Sequence, residues 1–453
     1  MEIVTNAKGG QVLLYKGHKY HVNRRNDNTN RIFWRCYDRK CPGRATSKSL
    51  DVAPTKDHNH LPNSTMITIE KYKTELKEDC AKSLETIPKL YNDMLARIAE
   101  KESDTVAAFM PTYTSIQSSL YRERQKTIPK LPKDKSEIII ENEWTQTVKN
   151  QRFLLRIDGD EKEKIIIFAT DKMLERLCNT NTLYMDGTFS SCPRLFYQLF
   201  TINIYIGDQQ FPAIYALLPG KSRNIYNRLF LLIKEELQNK SLTSYPNRVM
   251  IDFELALLQS VQLHFPQVDL SGCYFHFHKC LYRWVQEHGY STEYAKQEDF
   301  YNFVRCSAAL AFIPVSCVRT AWFGLKSSAL DNASYIPFIN YFSKTWINGF
   351  PIKTWNHYTT TEDRTNNTLE GWHNRLNKLV GRDHPNIYQL IKLMKKEEAV
   401  SEVKILQISH GGAPVQKKAK FRVINNRIDR LKEQCLKLPM QDYLNAMKHL
   451  TGL

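Results

Sequence analysis

The fold of this chain is decided by the stretch Thr182-Leu-Tyr-Met-Asp186-Gly-Thr-Phe189, in which a short run of β-forming residues ends in an aspartate. A second run, Arg248 to Ile251, ends in Asp252, and a third acid, Glu370, opens a segment with helical spacing. Acids at strand ends and on a facing helix can converge on hard cations, and two cations about 3.5–4 Å apart cut or join phosphodiesters in many enzymes. Each acid alone would be interpreted as a helix cap or a surface charge.

The region around the acids, from about 137 to 265, has an α/β pattern. Strand-like runs occur at 165–168, 183–185, 199–206, 213–218 and 249–251, and helical runs at 172–178, 224–237 and 254–264. A further strand is predicted near 272–275, before a helix around 279–286. The order strand, strand, strand, helix, strand, helix is that of an RNase H-like core, with a mixed sheet covered by helices.

The remaining segments divide the chain into further domains. Residues 1–63 read as a small β-rich unit, and residues 64–136 as a helical linker with helices at 91–99 and 114–121. This linker is either a DNA-binding helical unit ending in Arg122 and Arg124 or a solvated connector. The core then occupies 137–400, with a helical insertion at about 290–350. Residues 401–453 form a basic tail whose Lys417, Lys418, Lys420 and Arg422 predict a nuclear import signal, a DNA-contacting patch or a solvated face.

Composition restricts the class of protein. The 453 residues carry a formal net charge of +17, which indicates a polyanionic partner, with nucleic acid first, or else a merely basic soluble protein. No apolar run reaches the roughly 18 residues of a membrane helix, and the first residues lack the apolar core of a secretory signal. Ten cysteines are too sparse for a disulfide scaffold, so we expect reduced thiols, some of them metal ligands, in a reducing compartment.

The N-terminal unit contains a set of ligands suited to zinc. Four residues separate Cys36 from Cys41, and sixteen more precede His58 and His60. Two thiolates and two imidazoles are a preferred tetrahedral set for structural zinc. Because His-x-His cannot place both rings on one helical face, the ligands are expected at strand ends of a β-rich module.

This segment resembles the FLYWCH zinc finger over about residues 8–62. The resemblance rests on Leu14-Tyr15-Lys-Gly-His-Lys-Tyr20, Phe33-Trp34-Arg35-Cys36, Cys41-Pro-Gly-Arg44-Ala45 and His58-Asn-His60, although Val12 or Leu13 stands where the pattern begins with Phe. It implies a small antiparallel sheet that binds zinc and DNA. The candidates for DNA contact are Arg24, Arg25, Arg35, Arg39 and Arg44, which would read bases or only contact phosphates.

Residues 180–385 resemble the MULE (Mutator-like element) transposase domain of the DDE superfamily. The four matching blocks are Tyr184-Met-Asp186-Gly-Thr-Phe189, Ile251-Asp252-Phe-Glu254-Leu-Ala256, Gly272-Cys273-Tyr-Phe-His276 with Lys279, and Arg364-Thr-Asn-Asn367-Thr-Leu-Glu370-Gly-Trp-His373-Asn374. The resemblance implies that Asp186, Asp252 and Glu370 hold two magnesium or manganese ions for phosphodiester cleavage and strand transfer. It makes Glu254 a helix-start residue rather than a ligand.

Two further features lie beside these acids. Cys273 and His276 form the C-x-x-H of the family; with His278 and Cys280 they hold a second zinc, or else Cys273 and His276 form a hydrogen-bonded pair that shapes the site or contacts DNA. His373, one helical turn after Glu370, either touches DNA or a metal-bound water or is purely structural.

Three functions follow from these patterns. The first is a DNA transposase in the nucleus that binds double-stranded element ends and target DNA and works as a homo-oligomer, because paired ends need paired subunits. The second is a domesticated relative that keeps the finger and acts as a transcriptional regulator without catalysis. The third is an RNase H-like nuclease acting on RNA or hybrids, which the finger and the four-block match disfavour.

Overall fold

The computed structural model describes residues 2–5, 10–48, 51–83, 85–207, 209–243, 246–330, 332–360, 364–365, 367–381, 383–412 and 419–451, without the side chains at 367, 368, 370 and 419–421. The chain divides into two compact units. The first contains residues 1–131 with 379–381, and the second contains residues 132–378 with 382–453. No helix in the described part of the chain is long and apolar enough to span a membrane.

The first unit begins with a six-stranded antiparallel sheet in which each strand pairs with the next one in the chain. Its strands are β1 (Glu2–Thr5), β2 (Gln11–Tyr15), β3 (His18–Asn26), β4 (Arg31–Cys36), β5 (Arg44–Lys48) and β6 (Asp51–Lys56). Lys16 and Gly17 both have positive φ, as a two-residue hairpin turn with the right twist requires. The sequence predicts strands at 11–15, 19–23, 31–36 and 44–50, and β2 to β5 confirm these four, whereas β1 and β6 were not predicted.

Four helices complete the first unit: α1 (Ser64–Lys82), α2 (Ile87–Lys101), α3 (Asp104–Phe109) and α4 (Tyr113–Gln125). Asn63 caps α1 by accepting a hydrogen bond from the Met66 amide at 2.8 Å. The helices share a buried core that includes Leu76, Met94 and Leu120. The region predicted as a linker is therefore a packed helical domain that belongs to the same compact unit as the sheet.

The second unit contains a seven-stranded mixed sheet in the order β13-β12-β9-β10-β11-β8-β7. Its strands are β7 (Leu154–Asp158), β8 (Ile165–Phe168), β9 (Thr182–Thr188), β10 (Gln198–Ile206), β11 (Gln209–Leu218), β12 (Arg248–Ile251) and β13 (Asp269–Gly272). Strands β9, β12 and β13 run parallel, and the other pairings are antiparallel. Helices α5 (Asp171–Cys178), α6 (Arg223–Gln238) and α7 (Leu255–His264) bury apolar residues against this sheet.

A second core in this unit is helical and rich in aromatic residues. Its region contains α8 (Tyr274–Glu287), α9 (Ser291–Lys296), α10 (Glu298–Ala309), α11 (Val315–Ala329), α12 (Ile336–Phe342) and α13 (Ile352–Trp355), followed by α14 (Asn367–Val380), α15 (Ile387–Ser409), α16 (Ala419–Lys432) and α17 (Met440–Leu450). Helices α9 to α12 occupy the interval predicted for a helical insertion.

Two segments differ from the structure that the sequence predicts. The strand predicted near 272–275 ends at Gly272 and α8 begins at Tyr274, because Tyr274, Phe277 and Leu281 have helical spacing and are buried together. The tail predicted from 401 contains packed helices: α15 runs through that position, and α17 buries Tyr443. Lys417, Lys418 and the side chain of Lys420 lie outside the described residues, and Arg422 is exposed.

A half-buried carboxylate joins the sheet of the first unit to α1. Glu70 Oε1 lies 3.0 Å from Lys19 Nζ on β3 and 2.8 Å from Lys73 Nζ. Burial alone would raise the pKa of Glu70, but the two ammonium groups outweigh it and hold this pKa below its usual value. A carboxyl group with a lowered folded-state pKa contributes stability above its unfolded-state pKa, and this stability is lost as the pH falls through the folded-state pKa.

We expect Glu70→Gln to lower the local free energy of opening of α1 by about 1–3 kcal/mol at pH 7, because the buried Lys19 loses its charged partner. Hydrogen–deuterium exchange of peptides from 64–82 measures this. The difference from the wild type should shrink as the pH falls through the lowered pKa of Glu70, where the wild-type carboxylate is protonated as well. Glu78→Gln is the matched control, since its ion pair with Lys82 is exposed. Equal protection in the two variants at pH 7 would contradict the role assigned to Glu70.

Candidate functional site

The first candidate site lies in the N-terminal sheet. Cys36, Cys41, His58 and His60 each offer one ligand atom, and these atoms all lie within 4.8 Å of one another. Cys36 Sγ is 3.3 Å from His60 Nε2, and Cys41 Sγ is 3.2 Å from His58 Nδ1. A tetrahedral zinc ion with bonds of about 2.0–2.3 Å separates its ligand atoms by about 3.3–3.8 Å. The four residues predicted from spacing therefore fit zinc.

Residues to which the sequence analysis gave no role in the zinc site orient these ligands. With His58 Nδ1 facing the metal, its Nε2–H donates to the Tyr20 hydroxyl at 2.7 Å, and His18 stacks on the His58 ring at 3.6 Å between centroids. His60 Nδ1–H donates to the Leu61 carbonyl at 3.0 Å. Such outer hydrogen bonds fix the ring orientation of metal-binding histidines. Tyr20 and His18 belong to the FLYWCH pattern, but their contact with His58 was not predicted, because they precede it by about forty positions.

Gly43 makes room for the His58 ring. A Cβ at position 43 would lie 2.6 Å from two atoms of that ring, closer than real contacts allow. The Gly43 amide also donates to Cys41 Sγ at 3.3 Å, which favours the thiolate. The glycine in Cys41-Pro-Gly therefore indicates that the ring of a metal ligand lies close to the backbone at position 43.

The second candidate site lies at one edge of the mixed sheet. Asp186 is buried on β9, and Asp252 directly follows β12. The two strands pair in parallel with Val249 opposite Leu183 and Met250 opposite Tyr184. Continued by two residues, this register places Asp252 beside Asp186, on strands about 4.8 Å apart.

The alternation of side chains puts both acids on the same face of the sheet. On that face Tyr184 and Met250 pack with Cys273, whereas Leu183 and Val249 point into the main sheet core. Residues two apart on a strand share a face, so Asp186 follows Tyr184 and Asp252 follows Met250. The first two predicted acids are therefore brought together by the sheet.

Each aspartate has a histidine close by. Asp186 Oδ2 lies 3.5 Å from His373 Nδ1 on α14, and Asp186 Oδ1 accepts a hydrogen bond from the Gly187 amide at 2.8 Å. Burial raises the pKa of Asp252, and the charges of His276 and Lys221 offset this only in part. A carboxylate that burial destabilises in its charged form is stabilised by a bound cation. Asp252, beside Asp186, is therefore suited to bind a hard divalent metal ion.

The third predicted acid is described only by its backbone. Glu370 lies within α14, three residues before His373, and its side chain lies outside the described residues. Contacts further along hold α14 in place, since Trp372 Nε1 and Arg375 Nη1 donate to the Glu397 carboxylate of α15 at 3.1 and 3.0 Å. The helix that carries Glu370 and His373 is therefore fixed beside the sheet.

A hydrogen-bond chain links the strand of the first aspartate to the loop of the second. Gln198 Nε2 donates to the Tyr226 hydroxyl at 2.9 Å, and Tyr226 is hydrogen-bonded to Glu254, two residues past Asp252. The Gln198 Oε1 atom lies 2.1 Å from where a Cβ of residue 187 would stand, so only glycine fits next to Asp186. Glu254 is the N-terminal flanking residue of α7, as predicted, and burial and the charge of Asp252 raise its pKa.

The C-x-x-H residues border this site. Cys273 is buried, and the His276 charge acts on Asp252. His278 faces the helical core instead, where burial and Arg305 lower its pKa to about 4. Among the described residues, the one group of three or more possible metal ligands is the N-terminal Cys36, Cys41, His58 and His60. Cys273, His276, His278 and Cys280 are thus not gathered around a second metal in the described structure.

Two parts of the chain match models of known protein families. The FLYWCH zinc finger domain matches residues 3–60, and the MULE transposase domain matches residues 182–280. The chain carries a FLYWCH zinc finger followed by a MULE transposase domain. A search of curated proteins finds no match.

The two matches confirm the predicted order of domains and support a Mutator-like, transposase-related DNA-binding protein. The MULE match belongs to a transposase-type enzyme family and includes Asp186, Asp252 and the C-x-x-H residues, whereas Glu370 and His373 lie beyond it. The FLYWCH match and the Cys/His cluster together support a structural zinc site.

The arginines predicted to contact DNA have different surroundings. On the FLYWCH finger, Arg24 stacks on Phe33 at 4.4 Å and Arg25 donates to Gln11 at 2.9 Å, while Arg39 is exposed in the loop between the two cysteines. In the helical domain Arg122 is exposed, but Arg124 donates to the carbonyls of Cys80 and Glu85. Arg124 therefore connects α4 to the end of α1 and to the loop that follows it.

We expect Gly43→Ala to weaken zinc binding by the finger about 10–100-fold, because the added methyl group displaces His58. Zinc retention against a competing chelator measures the affinity, and hydrogen exchange of 11–56 measures folding. Cys36→Ser, which removes a ligand, should unfold the finger outright. Gly324→Ala is the control, since nothing lies within 4 Å of its added Cβ. Wild-type zinc retention in Gly43→Ala would contradict the geometry.

Proposed function

We propose that the chain is a DDE DNA transposase of the Mutator-like type, which cleaves phosphodiesters at transposon ends and transfers the strands to target DNA. The observation that carries this proposal is the pairing of β9 with β12, which brings Asp186 and Asp252 to neighbouring positions on one face of a sheet. The five-strand order β13-β12-β9-β10-β11, with β9 central, supports an RNase H-like core. In that core, the first acid lies on the central strand and the second at the end of its parallel neighbour.

The catalytic roles follow from the positions of the acids. Asp186 and Asp252 would hold magnesium or manganese through carboxylate oxygens, with Glu370 as the third ligand, since a spacing of three places positions 370 and 373 on one face of α14. The bound ions would activate a water or a DNA 3′-hydroxyl and stabilise the leaving oxygen. His373 contacts Asp186 and is suited to orient it.

The surrounding residues keep these carboxylates in position. The Gly187 amide fixes one oxygen of Asp186, and the chain from Gln198 through Tyr226 to Glu254 holds the loop after Asp252. The FLYWCH finger supplies DNA binding. A nuclear, homo-oligomeric protein is part of the proposal, because two element ends must be held together.

Asp186→Asn and Asp252→Asn should each lower cleavage at least about a thousandfold, because an amide cannot replace a metal-binding carboxylate. The assay uses duplex DNA carrying the inverted repeats that flank the coding sequence, with magnesium or manganese. DNA affinity without these metals should stay within about twofold, and Asp299→Asn, an exposed acid, should cleave as the wild type does.

The same experiment decides between the two DNA-binding functions. Zinc-dependent DNA binding by the wild type without any metal-dependent cleavage would favour a domesticated regulator. Full cleavage by both aspartate variants would overturn the catalytic assignment.

A further inference from the structure

A basic groove of about 940 Å³ lies within the first unit, between the finger sheet and helices α1 and α4. The sheet side contributes Lys19, His21 and Arg39, and the helical side contributes Lys73, Lys77 and Arg122. Among the described residues that line it, Glu70 is the one acid, and Lys19 and Lys73 already share this carboxylate. The groove is therefore strongly positive.

Three of these cations form no ion pair within the part of the chain that the structure describes. Among the described residues, no carboxylate forms an ion pair with Arg39, Lys77 or Arg122, although Arg122 Nε donates to the Ser118 carbonyl at 3.3 Å. Burial and the neighbouring Lys73 charge lower the pKa of Lys77, and the charges of Glu123 and Glu70 offset this only in part. Cations that outnumber the nearby carboxylates cost free energy when they are crowded together, and a polyanion offsets this cost.

The groove continues into a row of basic residues across the finger sheet. His21 is directly opposite Arg35, Arg35 is opposite Arg44, and Arg44 is opposite Lys56. Directly opposed residues of antiparallel strands share a face, and like charges so placed repel each other. The buried Arg35 Nε has no hydrogen-bond partner among the described residues. The row and the groove meet at His21.

We propose that this groove and row form one binding surface for the phosphate backbone of duplex DNA, to which helices α1 and α4 contribute as much as the zinc finger does. The inference rests on the proposed function in that the polyanion is DNA. Evenly spaced phosphates match cations that lie along a line and have no acidic partner of their own, and such contacts give affinity without sequence preference.

The arrangement also couples the groove to zinc. Arg39 and Tyr37 lie in the loop between Cys36 and Cys41, and the Tyr37 amide donates to the Lys19 carbonyl at 2.8 Å. The ammonium group of Lys19 lies 4.3 Å from the centre of the Tyr37 ring. Loss of the metal therefore removes the sheet wall of the groove, whereas the helical wall has its own core.

The test uses the full-length, zinc-loaded chain and a labelled 30-base-pair duplex of arbitrary sequence, without magnesium or manganese. The groove variant is Lys77→Gln with Arg122→Gln. The control variant, Lys82→Gln with Lys101→Gln, removes the same charge from exposed positions of α1 and α2 outside the groove. Fluorescence anisotropy at several potassium chloride concentrations gives the affinity and its salt dependence.

We expect the groove variant to bind at least about tenfold more weakly at 0.15 M salt and the slope of log K against log salt to fall by about 2, since each lost phosphate contact removes about 0.9. The control should change affinity less than about twofold. Lys77→Arg with Arg122→Lys should restore binding, which shows that a weak groove variant is not merely misfolded.

Equal affinities of the groove and control variants would overturn the proposal. So would a groove variant that loses binding to polyglutamate but keeps binding to DNA, since the surface would then serve an acidic protein. Failure of the proposed function is separate, because it shows as absent metal-dependent cleavage in a chain whose DNA affinity still depends on Lys77 and Arg122.

Discussion

The parallel pairing of β12 with β9 is the constraint on which the candidate active site depends. Both strands lie inside the sheet, and their side chains alternate between the main core and the cluster around Cys273. A slip of one residue would exchange these two environments for every side chain of β12, so burial on both faces specifies the register. Asp252 is positioned by this register, as it follows the last residue of β12.

The first unit depends on a different kind of constraint, in which a small sheet is stabilised by its metal ligands and by its helices. Its aliphatic and aromatic core is limited to a few residues such as Leu13, Tyr20 and Trp34. A unit of this size needs additional stabilisation, which a metal supplies. Glu70 of α1 adds a charged contact to the buried Lys19, so the helices and the finger support one surface.

Short sequence patterns predicted much of this architecture, and the predictions that failed did so for physical reasons. The apolar runs at 165–168 and 249–251 gave their strands correctly, and the spacing of Cys36, Cys41, His58 and His60 gave the metal ligands. The register of β12 against β9 was not visible, because both strands are apolar on both faces. The RNase H-like order and the resemblance to the MULE domain, rather than the strands themselves, suggested that Asp186 and Asp252 would meet.

Residues that act through distant partners were also missed. Tyr20 supports His58, and Gln198 reaches Tyr226, across separations that no local pattern encodes. The aromatic run after Cys273 was interpreted as strand because its β propensity is high, but tertiary packing imposed a helix. Two of the four helices in 64–125 were predicted, at 91–99 and 114–121, while their packing into one unit with the finger was not.

Manganese binding to the zinc-loaded chain tests most directly whether Asp186 and Asp252 share a cation. Electron paramagnetic resonance of free Mn²⁺ gives the affinity without DNA or catalysis. The account predicts that the wild type binds Mn²⁺, that Asp186→Asn and Asp252→Asn each weaken binding at least about tenfold, and that Asp299→Asn does not. Unchanged Mn²⁺ affinity in the double variant of Asp186 and Asp252 would contradict it.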